Sequence, residues 1–287
     1  MKILIIGAQG MLGSDLLTTL RKKYDAVGKD IDDFDITNIK GSKKEIIKIN
    51  PSIVINLAAY TDVDGCESNE KLAFSVNAEG AKNIAEICRE IKAKLIHVST
   101  DYVFDGRKEK PYLENDQPNP LNIYGKSKLK GEEYIQDILT DFLIIRTQWL
   151  YGEKGKNFVD TILGLAKEKR ELNVVDDQIG SPTFTRDLSE VIDVMLDSSG
   201  NGIYHASNGG YCSWYQFSQE ILKISAIENV KLNPVGSDEF VRPALRPFFS
   251  RFSCKKLEKL IGKVMRPWPE ALAEYLKGKS LHNHTES

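Results

Sequence analysis

No stretch of this chain approaches the roughly 20 consecutive apolar residues that a membrane-spanning helix requires. At the start, Lys2 is followed by only four apolar residues before a glycine turn, which is too short for the apolar core of a secretory signal. Charge of one sign is also scarce. Lys and Arg number 39 against 41 Asp and Glu, a formal net charge of -2 over 287 residues. With the two signs interspersed, nothing in the charge argues for nucleic acid or an anionic membrane as a partner. Cysteine is limited to Cys66, Cys88, Cys212 and Cys254, scattered without close pairing, which favours reduced thiols over disulfides or a metal site. The four histidines, His97, His205, His282 and His284, have no metal-ligand spacing, and the last two sit in a polar tail. Internal repeats and low-complexity segments are absent too. What remains is ordinary globular composition, 41% apolar and 28% charged, enough for one large or two interleaved domains with a sizeable core. The expectation is a soluble cytoplasmic protein without a metal.

Lys2 to Ile6 (KILII) is a short run, apolar and mostly β-branched after its lysine, the mark of a strand buried on both faces of a parallel sheet. It runs directly into GAQGMLG, residues 7 to 13, and then Leu12, Leu16, Leu17 and Leu20 recur at helical spacing. Strand, glycine turn and helix in that order make G-x-x-G-x-x-G a dinucleotide-binding candidate. Gly7 would permit the tight turn, Gly10 would let backbone approach a pyrophosphate, and Gly13 would let helix and strand pack closely. The pyrophosphate would rest on the N–H groups of the helix N-terminus. A second strand, Ala26 to Lys29, ends at Asp30, about 20 residues past the turn. An acid there can accept hydrogen bonds from a ribose 2′-OH, which favours NADH, whereas Lys29 attracts a 2′-phosphate, which favours NADPH. Both cofactors stay open. Asp35 and Ile36 are candidates for an adenine contact.

Pro51 to Ala59 reads as the next buried strand, and its small Ala58-Ala59 end leaves room for a cofactor against backbone. Leu72 to Ile91 is an amphipathic helix with Val76, Ile84, Ile87, Cys88 and Ile91 on one side. Asn77 within it either bonds a loop or belongs to a site. Strands at Lys94 to Ser99 and Phe142 to Arg146, with a helix after Tyr124 between them, complete the alternation of a parallel sheet. Beyond Trp149 the pattern loosens. Helices are expected over Asn157 to Lys169, around Leu188 to Leu196, and from Ser213, where Gln216 makes a capping box. Pro267-Trp268-Pro269 is expected to precede a last short helix. The fold class is α/β: a Rossmann-type, doubly wound parallel sheet with a smaller C-terminal substrate-binding part. The boundaries are 1–150 and 184–204 for the dinucleotide-binding domain, 151–183 and 205–277 for the smaller part, and 278–287 for a polar tail.

The chemistry centres on HVSTDYVFDG, starting at His97, and NIYGKSKLKGEE, starting at Asn122. An apolar strand ends there in a hydroxyl pair, Ser99-Thr100. Tyr124 and Lys128 lie four apart, on one face of a helix. A phenol is a weak acid near pH 7, since its unperturbed pKa is roughly 10. A neighbouring ammonium would favour the phenolate and bring proton transfer into range. Thr100, Tyr124 and Lys128 thus form a candidate set: polarising hydroxyl, proton donor and tuning cation. By itself Tyr-x-x-x-Lys is common on helices; the glycine turn is what gives it weight.

Taken together these residues resemble the extended short-chain dehydrogenase/reductases, and within them the dTDP-4-dehydrorhamnose reductases. The resemblance rests on GAQGMLG (7–13), NLAAYTDVDGCE (56–67), VNA (76–78), STDYVFDG (99–106), PLNIYGKSKLKGE (120–132), RTQWLYG (146–152), NF (157–158), DDQIGSPT (176–183) and YHASNGG (204–210). It implies reduction of the C4 keto group of a sugar nucleotide by NADPH or NADH, with Thr100, Tyr124 and Lys128 doing the chemistry. It sets Gly7, Gln9, Gly10, Met11, Leu12, Ala58, Ala59 and Thr61 against the cofactor. Val63, Tyr102, Trp149, Asn157 and Gln178 fall to the sugar nucleotide, and Asp176 to Thr183 to a substrate-side loop. The chain departs from the family at a short 28–36 loop and at 246–251. A homodimer is the candidate assembly. Two relatives offer other readings. A nucleotide-sugar 4,6-dehydratase carries Asp-Glu after the threonine, whereas here Asp101 is followed by Tyr102. The non-catalytic regulatory subunit of methionine adenosyltransferase also resembles this chain, but the intact Thr100, Tyr124 and Lys128 argue for an enzyme.

Overall fold

The computed structural model describes residues 1–283, with side chains through Lys279. Its centre is a six-stranded sheet of β1 (Lys2–Ile6), β2 (Asp25–Lys29), β3 (Ile53–Asn56), β4 (Lys94–Thr100), β5 (Phe142–Thr147) and the Gly202–His205 strand. Spatially the order is β2-β1-β3-β4-β5 and then Gly202–His205, with every pairing parallel. Successive residues of the apolar strands point to opposite faces, and this divides the core. Ile3, Ile5, Ile53, Ile55, Ile96, Leu143 and Ile145 join Leu12 and Leu16 of helix α1 (Met11–Leu20) and Leu188 and Ile192 of the Thr185–Leu196 helix. Their neighbours Leu4, Ile6, Val54, Leu95, Phe142 and Ile144 face the other way, onto Ile46, Ile84, Ile87 and Ile135. Helices cover both faces, so the strands read as continuous apolar runs. The direction of travel reverses between β1 and β3. That switch point leaves a crevice at the carboxyl ends of the strands, where open α/β sheets bind ligands.

The strand expected over Pro51 to Ala59 is shorter, four residues ending at Asn56. The Asn56 side-chain oxygen accepts from the N–H of Ala58 at 3.2 Å, turning the chain along the sheet edge. The helix expected over Leu72 to Ile91 is three pieces, with a π-helical segment, Ser75–Gly80, between Glu70–Phe74 and Ala81–Ile91. Such insertions are frequent at functional sites. Asn77 lies in this one, buried, bonded to both backbone groups of Tyr60 and to the Ser127 hydroxyl. It ties the cavity-lining loop to the helix that carries Tyr124.

The smaller part has its own core, in which Tyr151, Val159, Phe184, Phe217, Ile221, Leu272 and Tyr275 are buried together. The Ser213–Gln216 capping box forms as expected. The chain returns to the sheet more widely than the boundaries foresaw. Leu257, on the Lys255–Ile261 helix, and Met265 are buried in the core beneath the sheet, because they close over the Thr185–Leu196 helix and the sheet's last strand. The last helix spans Trp268–Asn283, so Trp268 and Pro269 are its first turn rather than its approach. Proline is compatible with that turn because the N–H it lacks would have no helical partner. The expected polar tail is helical from Gly278 to Asn283, and residues 284–287 lie outside the described residues.

One buried ion pair fixes the Ile123–Ile138 helix to the sheet. Arg146 of β5 donates to the Glu132 carboxylate through Nε at 3.0 Å and Nη2 at 2.6 Å, and both residues are buried. Replacing Glu132 by Ala leaves a guanidinium desolvated and unpaired, and removing one partner of such a pair costs about 3–5 kcal/mol. Urea unfolding of Glu132→Ala is therefore expected to show a loss of that order. A loss below about 1 kcal/mol would mean that the pair behaves as an exposed one.

Candidate active site

A cavity of about 760 Å³ opens at the switch point. The glycine turn forms its floor, and each glycine meets a different constraint. Gly7 has φ +83° and its missing Cβ would lie 2.9 Å from the Ala58 nitrogen. At Gly13 a Cβ would lie 2.1 Å from the Gly7 carbonyl oxygen, so α1 sits on the turn at a distance only glycine allows. At Gly10 a Cβ would meet only the Gly7 oxygen, at 3.3 Å, and Gly10 lines the cavity. The α1 N-terminus has no side-chain cap, which leaves its N–H groups for a ligand.

Met11, Leu12, Asp30, Asp35, Ile36, Ala58, Ala59 and Thr61 all line the cavity, as do Val63, Tyr102 and Trp149 on the side of the smaller part. Gln9 borders a second hollow of about 390 Å³, together with Lys29, and Asp30 borders both. The opposed pulls of Lys29 and Asp30 are each partly spent within the protein. Lys29 Nζ donates to Asp33 at 2.7 Å, and the Asp30 carboxylate accepts from the Gln9 and Ile31 N–H groups.

Thr100, Tyr124 and Lys128 come together on one wall. Thr100 is the last residue of β4; its hydroxyl donates to Asp101 at 3.1 Å and accepts from the Tyr102 N–H at 3.2 Å. Asn122 caps the helix that presents Tyr124, accepting from the Gly125 N–H at 2.8 Å. That helix start is pressed against the 102 peptide, since a Cβ on Gly125 would lie 2.1 Å from the Tyr102 oxygen. Lys128, one turn on, donates to the Val98 carbonyl at 2.7 Å and lies 3.3 Å from His97 Nε2.

The electrostatics differ from the expectation that Lys128 depresses the phenol. Burial raises the Tyr124 pKa above its ordinary value, with the Thr100 hydrogen bond opposing, and Lys128 is not among the causes. The lysine nitrogen is directed at Val98 and His97, and burial disfavours its charged form, pulling its pKa down to about 8. Tyr124 is thus held as the neutral phenol, the form that can give up a proton.

Four buried polar atoms on the walls have no partner in the protein: Ser99 Oγ, Asp101 Oδ2, Thr147 Oγ1 and Gln148 Nε2. An unsatisfied buried polar group costs about 1–3 kcal/mol, so the fold carries a cost at these four wall residues. Thr147 and Gln148 went unnoticed in the sequence, although Thr147 closes β5 as Thr100 closes β4, and Gln148 follows it. Burial raises the Asp101 carboxyl to about 6, with the hydrogen bond from Thr100 opposing. Trp149 holds a left-handed φ of 48°, rare for so bulky a residue. Its ring stacks on Trp214 with centroids 3.4 Å apart, and Gly180 lies against it with no room for a side chain. Trp268 packs edge-on to Phe217, as a core residue would. Asn157 and Gln178 do not line the cavity. Asn157 caps the Phe158–Glu168 helix, and its amide also donates to the Gly152 carbonyl and the Tyr275 hydroxyl. Gln178 is buried just ahead of the Ile179–Gly180 strand that supports Trp149.

Comparison with known proteins adds three findings. The family model described as RmlD substrate binding domain matches residues 1–280. The spore coat polysaccharide biosynthesis protein SpsK of Bacillus subtilis is 42% identical over 97% of this chain and 98% of its own length, and a dTDP-4-keto-6-deoxy-D-glucose reductase of Streptomyces niveus is 34% identical over 94% and 95%. A solved dTDP-4-dehydrorhamnose reductase of Bacillus anthracis, in complex with NADP, is 40% identical and superimposes with a TM-score of 0.93 over 96% of this chain and 99% of that one.

Two outcomes follow from this geometry. Gly10→Val puts a side chain into the cavity at the turn, so titration with NADPH or NADH followed by fluorescence is expected to show binding abolished. Unchanged affinity would remove the turn from the cofactor site. Asp101 has a folded-state pKa above its ordinary 3.8, so its contribution to stability is fully present below that value and is lost as pH rises through about 6. Asp101→Asn is therefore expected to stabilise the fold at pH 7 by on the order of 2 kcal/mol and to give no gain near pH 3.5. Equal effects at both pH values in thermal unfolding would contradict this.

Proposed function

The chain belongs to the RmlD substrate binding domain family, and from that premise we propose that it reduces the C4 keto group of dTDP-4-dehydro-L-rhamnose to dTDP-L-rhamnose, with NADPH or NADH, in nucleotide-sugar and surface-polysaccharide synthesis. One observation carries the reading: Thr100, Tyr124 and Lys128 meet on the wall of the cavity whose floor is the glycine turn. The residues fit a dinucleotide, since Gly10 and the uncapped α1 N-terminus leave a cradle that a single Cβ would fill. When bound, the reduced nicotinamide supplies the hydride.

The protein's own groups supply the rest. The Thr100 hydroxyl holds the keto oxygen, releasing Asp101 to do so. Tyr124, kept protonated by its burial, gives its proton to the alkoxide oxygen formed at C4. Lys128 reaches the same wall from the next turn of the helix and would hold the nicotinamide ribose. The Trp149–Trp214 stack and Tyr102 flank the sugar nucleotide, while Gln178 acts from behind that wall and Asn157 by capping the helix beside it. Residues 151–183 and much of 205–277 form the sugar-nucleotide part. The reading implies a soluble cytoplasmic enzyme, and no described helix is long and apolar enough to cross a membrane.

The Streptomyces relative favours a second reading, in which the substrate is the D-gluco-configured 4-keto sugar nucleotide. A panel of 4-keto sugar nucleotides, assayed by oxidation of NADPH and NADH, separates the two. If none is reduced, a non-catalytic role, as in the regulatory subunit of methionine adenosyltransferase, replaces both. With the preferred substrate, Tyr124→Phe keeps the ring and the fold and is expected to lower kcat by about 10²–10⁴-fold, the usual contribution of a positioned general acid. Turnover within about threefold of the parent, well short of that range, would show that Tyr124 is not the acid. Lys128→Met is expected to lower kcat and weaken cofactor binding together.

A further inference from the structure

His97 is buried on β4 and faces two neighbours, one at each ring nitrogen. Asn56 Nδ2, from the adjacent strand, lies 3.3 Å from Nδ1, and Lys128 Nζ lies 3.3 Å from Nε2. The Asn56 amide has its orientation set independently. Its oxygen accepts from the Ala58 N–H, which can only donate, so the NH₂ group must face the ring. A neutral imidazole has one donor and one acceptor nitrogen. Burial and the Lys128 charge both disfavour the imidazolium. Nδ1 therefore accepts from Asn56 and Nε2 carries the proton. That proton points at Lys128, which can receive it only as the neutral amine, through its lone pair, while an amine N–H donates to the Val98 carbonyl. In the ammonium state Lys128 is donor only. The ring must then move its proton to Nδ1 and Asn56 must turn over, and the Ala58 N–H, on the cavity wall, loses its acceptor.

We propose that His97, oriented by Asn56, is a positioning residue that couples the protonation state of Lys128 to its own tautomer and to the hydrogen bond at Ala58. The inference deepens the proposed reaction and rests on Lys128 as the cation of that site. The charged groups that bear on the pair are Lys128 on His97 and Glu132, itself held by Arg146, on Lys128, and the Asp101 carboxyl lines the same cavity. The other ionisable group on the same face is Tyr124, one turn back, held neutral. Burial of Lys128 brings its transition to about pH 8, so amine and ammonium both exist over the range in which the enzyme is assayed.

The test is nitrogen-15 NMR of histidine-labelled full-length protein without cofactor, with the His97 signals assigned by their loss in His97→Gln. On raising the pH from about 6 to about 10, across the Lys128 transition, the protonated ring nitrogen is expected to change from Nδ1 to Nε2. In Lys128→Met the ring is expected to keep the Nε2 proton throughout. One unchanged tautomer in the parent overturns the proposal, whatever the turnover, so its failure is distinct from failure of the proposed reaction. A second readout is the pH profile of kcat. In His97→Gln the introduced amide can present its carbonyl to the ammonium without a tautomer change, so the apparent pKa assigned to Lys128 is expected to move up by at least about half a unit. A His97→Gln profile that superimposes on the parent after scaling would mean that His97 only fills space.

Discussion

The seating of α1 on the glycine turn is the constraint from which the remaining geometry follows. With Gly13 against the Gly7 carbonyl, the first helix begins directly at the end of β1, and its free N–H groups point over the strand ends. The same contact brings Gly7 against Ala58, closing β1 onto the end of β3 at the switch point. A side chain at Gly7 or Gly13 would push these elements apart by more than a repacked rotamer could absorb, because the atoms they meet are backbone. Everything on the opposite wall, from Thr100 to Lys128, is positioned relative to that crevice through the parallel register of β3, β4 and β5.

Burial then sets the chemistry. At the surface Tyr124, Lys128 and Asp101 would titrate near their ordinary values. Inside, desolvation holds the phenol neutral, weakens the ammonium and raises the carboxyl. Several buried polar atoms of the wall residues also lack protein partners, an arrangement that costs the fold stability. The buried Arg146–Glu132 pair supports the arrangement, since Glu132 shares the helix of Tyr124 and Lys128 and its partner sits on β5.

The smaller part contributes rigid walls. Trp149 is held in a strained backbone conformation by its stack on Trp214 and by the close approach of Gly180. On the far side, Arg246 pairs with Asp64 through both guanidinium ends, and Asn122 donates to the Leu245 carbonyl. The 242–251 segment is thereby fastened to the short Val63–Ser68 helix and to the start of the helix that carries Tyr124.

Local pattern alone determined the parallel sheet, the glycine turn and the spacing of Tyr124 and Lys128. Apolar periodicity, glycine conformational freedom and helical geometry act over a few residues and are written in consecutive positions. Thr100, Gly10 and the Ala58-Ala59 edge were legible for the same reason. Tertiary structure decided where the Lys128 nitrogen points, what raises the Tyr124 pKa, and that Asn157 serves as a helix cap away from the cavity. These depend on desolvation and on partners far apart in the chain, Asn56 with His97 and His97 with Lys128. No window of sequence contains both members of such a pair, so the protonation states of the site exist only once the fold has brought them together.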